Sequence, residues 1–149
     1  MIQEAAAIFE TFIEKHWDRS VLQPKVIVVE KSEQLRVALQ PVEEEVIFIA
    51  EAPSGHRLKP RGNWRYYDEA IVVVFTIQTL TSYERLYEIA NTLTAILQRY
   101  QTDVAPFHRT KVIGFYPEAE VTYQFWKGDL RIEVERMGIC IGQNRIRSS

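Results

Sequence analysis

The side chains that do most enzyme chemistry are few in this chain and poorly placed for it. The three histidines, His16, His56 and His108, lie far apart and carry neither HxH nor HExxH spacing. With one cysteine, Cys140, no zinc site of ordinary ligand spacing can be written. Cys140 sits between Ile139 and Ile141 and reads as a small buried hydrophobe; His16, beside Trp17, reads as a packing residue. No GxSxG elbow and no Walker loop occurs, and Gly138 to Gly142 is glycine spacing alone. No acid precedes a lysine by two residues, so the Asp/Glu-x-Lys element of many metal-dependent nucleases is missing. Asp68-Glu69 is an adjacent acidic pair, but neighbouring side chains on a strand point to opposite faces, so it reads as a solvated turn. No catalytic residue, metal or cofactor is expected, and the chain is not expected to be an enzyme.

The stretch that does suggest binding is GHRLKPRGNWR, Gly55 to Arg65, with Arg57, Lys59, Arg61 and Arg65 and no acid. Trp64, Tyr66 and Tyr67 flank it, and aromatics interleaved with arginines are what single-stranded nucleic acid stacks on. The same aromatics would also serve to anchor a loop where it enters a sheet. The whole chain carries 18 basic and 20 acidic residues, a formal net charge of −2, which is not the balance of a general nucleic-acid binder. Outside the basic stretch acids outnumber bases 20 to 14. One positive patch on a mildly acidic body can attract phosphate or dock on an acidic neighbour. The candidate partner- or DNA-facing residues are therefore Arg57, Lys59, Arg61, Trp64 and Arg65.

The length, 149 residues, is that of one domain, able to bury roughly 68–70% of the surface its unfolded chain exposes. A single cysteine allows no intrachain disulfide, the start MIQEAAAIFE lacks the basic region of a signal peptide, and the longest apolar runs fall far short of the ~20 residues of a membrane span. No membrane association is expected.

Residues 2–17 form a helical stripe of Ile2, Ala5, Ala6, Phe9, Phe12, Ile13, His16 and Trp17, suited to packing on a sheet or, in part, on a neighbouring subunit. Pro24 then blocks a helix, and the β-branched run from Val26 predicts a short strand. Leu35, Val37 and Leu39 suggest another before a turn at Pro41 and Glu43 to Glu45. Val46 to Ala50 and Ala70 to Thr79 read as apolar strands that form a hairpin, with 55–65 as its extended basic loop. Thr81-Ser82-Tyr83-Glu84 matches a capping box, with Thr81 as the cap of a helix over about 82–101 whose inner face carries Leu86, Ile89, Ala90, Leu93, Leu97 and Tyr100. The end of the chain reads as a second hairpin with its turn at Lys127-Gly128, which would pair Phe125 with Leu130, Tyr123 with Ile132 and Val121 with Val134. Its polar face, with Arg131, Glu133 and Glu135, is the candidate subunit-contact face, and 143–149 is a basic tail. The expected fold is a single α+β domain over 1–149: a mixed, mainly antiparallel sheet with a long-tipped hairpin, packed against an N-terminal helix and a central amphipathic helix.

This order of elements resembles that of the tail terminator, or tail completion, proteins of bacteriophages. The resemblance lies mainly in AIVVVFTIQTLTSYERLYEIANTLTAIL, a strong strand, a polar turn and an amphipathic helix, with the closing YQFWKGDLRIEVERMG as a final hairpin. It is one of element order, and no functional residue transfers by identity. It implies a self-associating ring, usually a hexamer, that caps the finished tail tube and meets the neck or head-connector proteins, in a virion assembled in the bacterial host cytoplasm. No catalysis is implied. Under it the basic loop would line a lumen that DNA crosses or meet an acidic patch on the next ring. The alternatives are a small nucleic-acid-binding module using 55–65, or a different head–tail connector protein.

Overall fold

The structure, a computed structural model, describes residues 4–29, 45–52, 57–61, 66–118 and 125–139. Among these lie two helices, α1 (Glu4–His16) and α2 (Tyr83–Arg99), and six strands: β1 (Lys25–Val28), β2 (Val46–Glu51), β3 (Arg57–Arg61), β4 (Tyr66–Thr79), β5 (Arg109–Pro117) and β6 (Trp126–Ile139). The expected strand at 35–39, the turn at Pro41 to Glu44, Val121, Tyr123, Trp64, Arg65, Cys140 and the tail 143–149 lie outside the described residues.

The apolar run in β4 makes it the centre of one mixed sheet in the order β1-β2-β4-β6-β5. β1 and β2 are parallel; every other pair is antiparallel. β6 pairs with β4 over the full 14 residues of each, from Tyr66↔Ile139 to Thr79↔Trp126. The other edge of β4 is shared in tandem: β2 covers Val73 to Gln78, and β3 covers Tyr66 to Ala70. This is the α+β fold the sequence predicts, and the long hairpin is there. The middle of its expected loop, however, is a strand. Pro60, which argued for a loop, is tolerated because β3 lies at an edge, where a missing N–H costs no ladder bond.

Both helices pack on one face of this sheet. Phe9, Phe12, Ile13 and Trp17 of the α1 side and Leu86, Ile89, Leu93, Ile96 and Leu97 of α2 meet Ile47, Ile49, Val73, Phe75, Ile77, Leu130 and Ile132, all buried. The rings of Phe9 and Phe75 cross edge to face at 5.6 Å. From Ala5 to Trp17 the first helix stripe is thus covered within the chain; Ile2 lies outside the described residues.

Three local expectations are corrected. Ser82, not Thr81, caps α2: its hydroxyl accepts from the Arg85 backbone N–H at 3.1 Å, while the Thr81 N–H donates to the Thr79 hydroxyl. Asp68-Glu69 is no solvated turn but part of β4, and Glu69 is buried. Lys127-Gly128 is no turn either; both residues lie inside β6, opposite Gln78 and Ile77. Leu130, Ile132 and Val134 do share the core face, but their partners in β5 are Phe115, Val112 and Thr110.

The glycine that suggested a turn has a packing cause. A Cβ at Gly128 would lie 2.5 Å from the Phe115 ring, so glycine lets that ring cross the strand. Replacing Gly128 with Ala should therefore destabilise the fold by about 1–3 kcal/mol in urea unfolding, and adding Phe115→Leu should recover part of the loss; additive losses in the double variant would contradict the steric cause.

Candidate functional site: a charged sheet extension and two flanking clusters

The apolar core ends at Ile71 in β4 and Val134 in β6, but both strands run on for five residues, roughly 16 Å at strand rise. The next core-side positions are Glu69 and Arg136, directly paired in register. Arg136 donates to both Glu69 oxygens, at 3.1 and 3.3 Å, and its guanidinium covers the Phe107 ring at 5.5 Å. A bidentate pair is what allows a carboxylate to be buried at the margin of a core. On the strand start beside it, His108 approaches Asp68 at 3.9 Å and Arg109 approaches Glu135 at 3.8 Å.

β3 forms the edge of this extension. Of the five residues assigned to the basic loop, Arg57, Lys59 and Arg61 stand at alternate positions of the strand, in register with Ala70, Asp68 and Tyr66. Lys59 and Asp68 thus occupy a directly paired position of opposite charge, the favourable cross-strand arrangement.

The three residues of the candidate contact face stand at alternate positions of β6 and differ in exposure. Arg131 is exposed and its guanidinium sits over the exposed Tyr116 ring at 5.5 Å. Glu133 is half-buried. Glu135 is buried, with Arg109 beside it at 3.8 Å.

Two clusters were not anticipated. At the N-terminal end of α2, Arg85 donates to Glu45 through Nε at 2.7 Å and through a terminal nitrogen at 2.8 Å, to the Leu22 carbonyl at 2.7 Å, and to Glu88. Thr79 also donates to Glu45, at 2.7 Å. One guanidinium thereby ties the helix start to the loop after α1 and the entry of β2. Arg85 holds the Glu45 carboxyl below its ordinary value of 4.5, with Thr79 helping, and Glu45 in turn raises Arg85. Beside it, the Tyr83 and Tyr87 rings touch at 5.0 Å with their hydroxyls 3.3 Å apart, and Tyr87 lies edge-on to Phe115 at 5.4 Å. That hydroxyl contact raises the Tyr83 phenol above its ordinary value. The Tyr-x-x-x-Tyr spacing, off the apolar stripe, was the sequence signal for this pair.

At the other end of the helical layer His16 packs, as expected, stacking on Tyr100 at 3.9 Å against Phe12. It also has a polar partner: Nε2 lies 2.6 Å from Asp103, which accepts from Lys15 at 2.9 Å. Lys15 and then His16 lower the Asp103 carboxyl. A cleft of about 350 Å³ opens there, between His16, Trp17, Ile96 and Arg99. Among the described residues no group of three or more His, Cys, Asp or Glu could hold a metal ion, and no helix is long and apolar enough to cross a membrane.

Compared with known proteins, the sequence matches no family model and no curated protein.

The Arg85 cluster makes an acid-dependent prediction. Glu45 binds its proton less readily folded than unfolded, so its contribution is complete above about 4.5 and is lost as pH falls through the lower folded value. Arg85→Met should cost about 2–3 kcal/mol at pH 7, and its gap from the unsubstituted protein should narrow at pH 3.5; a gap that stays constant in urea unfolding at the two pH values would show that the ion pair is not the source.

Proposed function

We propose that this chain is a ring-forming structural protein of a phage or phage-like tail, which caps the tail tube and joins it to the neck. The observation that carries the reading is the sheet extension: β4 and β6 continue past the helices, with β3 along their edge. A stiff paired arm reaching beyond the core is suited to a contact outside the subunit. The element order leading to it, strand, polar turn and capped amphipathic helix, supports the same family resemblance. The partners are other copies of the chain, the tail tube protein and the neck or head-connector proteins, and the working location is the virion.

The acidic surplus of the chain outside 55–65, 20 acids to 14 bases, suits copies of the chain as the neighbour for the basic stretch. Light scattering coupled to size exclusion, with negative-stain imaging, should find closed rings at high concentration or on added tail tubes. A strict monomer that also ignores tail tubes would overturn the reading. Binding to DNA with a steep salt slope, abolished by neutralising Arg57, Lys59, Arg61 and Arg65, would replace it with the nucleic-acid reading.

A further inference from the structure

We infer that two copies of this chain pair through a two-fold contact along the outer flank of α2, the Leu22 side chain of each seating in the cleft beside the last turns of α2 of the other. The contact goes beyond the ring reading, does not rest on it, and uses none of the ribbon residues.

Leu22 is 77% exposed, the most of any large apolar side chain among the described residues. Its backbone is held on both sides. The Val21 carbonyl accepts from the Trp17 indole at 2.8 Å, and the Leu22 carbonyl accepts from Arg85 at 2.7 Å. An apolar side chain on a backbone fixed in this way loses little freedom when a partner covers it. The hollow that suits it is the cleft of about 350 Å³, whose apolar part is Trp17, Ala95, Ile96 and Tyr100.

Knob and hollow lie along one flank of α2. The helix residues that meet the segment after α1 are Arg85 beside Leu22, and Thr92, Ile96 and Arg99 around the cleft. Their spacing is that of a single helical stripe. From Arg85 to Ile96 is eleven residues, roughly 16 Å of helix, and the Arg85 bond holds Leu22 away from the cleft of its own copy.

The exposed strip beside them is self-complementary in charge. Glu84 stands in the first turn of α2 and Arg99 in the last, both exposed, and among the described residues neither is in an ion pair. Two such helices laid antiparallel bring Glu84 of each opposite Arg99 of the other, with Asn91 and Thr92 at the axis. A parallel pairing would set like charges together. The same antiparallel register carries Leu22, level with the first turns of one helix, to the last turns of the other, where the cleft opens. The apolar and the charged features thus select one register, and a patch in which each residue meets the other's partner is the mark of a two-fold contact. Between the charged ends Asn91 and Ala95 are exposed and small, which lets the two helices approach closely.

The test is self-association followed by light scattering and sedimentation equilibrium. Leu22→Ser should weaken pairing about tenfold or more. Glu84→Arg and Arg99→Glu should each weaken it, because each sets like charges opposite one another, and the two together in one chain should recover most of the loss. All four positions changed or flanked are on the surface, and circular dichroism of each variant checks that it folds. Pairing unchanged by Leu22→Ser, a double reversal as weak as the worse single one, or an unsubstituted chain that stays monomeric at its highest soluble concentration would overturn the contact. Rings that form with no dependence on Leu22 would overturn it too, and leave the ring reading standing; pairs that depend on Leu22 without any ring would support it and count against the ring.

Discussion

A strand buried inside a sheet must place the N–H and C=O groups of both its edges, and in this protein the strand with the most to place is β4. β6 satisfies one edge along its whole length; the other is satisfied by two short strands in succession, β2 under the helices and β3 beyond them. The rest of the architecture depends on that division. Where β2 pairs, the core-side residues Val73, Phe75 and Ile77 are apolar and lie in one cluster with the helices. Where β3 pairs, the core-side position is Glu69, and a guanidinium rather than a helix closes over it. The same strand is a core element at one end and a polar ribbon at the other.

Charge in this molecule is used mainly to fasten ends. Arg85 gathers the start of α2, the loop after α1 and the entry to β2 at one corner. Asp103 gathers Lys15 and His16 from the end of α1 at the opposite corner. Glu69 and Arg136 close the margin of the core. The exposed Asp103 cluster is worth little by itself, because solvent screens it; the Arg85 cluster, with both side chains largely buried, holds far more strongly. Beside the Arg85 tie, the helix flank with Tyr83 and Tyr87 faces outward.

The parts of the fold legible in the sequence were those written by periodicity. The α1 stripe, the face of α2 and the alternation of Leu130, Ile132 and Val134 all depend on local spacing, and the structure places them in the core. What misled was residue type without context. Pro60 and Gly128 are breakers in isolation, yet one sits harmlessly on an edge and the other makes room for a ring 13 residues earlier in the chain. Asp68-Glu69 looked solvated because its partner, Arg136, lies far along the chain. The Arg85–Glu45 tie was invisible for the same reason: forty residues separate two groups that only the sheet brings together. For the candidate site, the basic stretch was plain, but its strand register was not, nor was the burial of Glu135.

The division of labour along β4 also bears on how such a protein can change over generations. Among the described residues the core cluster ends at Ile71 in β4 and Val134 in β6, so the length of the ribbon beyond Glu69 is set by strand pairing. Side chains alternate along a strand, so one residue added to β4 and one to β6 would swap the faces of everything distal, whereas two in each would keep them. The reach of the ribbon can therefore evolve in increments of about 7 Å, each leaving the folded body as it was. A lineage could refit itself to a wider or narrower neighbour by paired insertions alone.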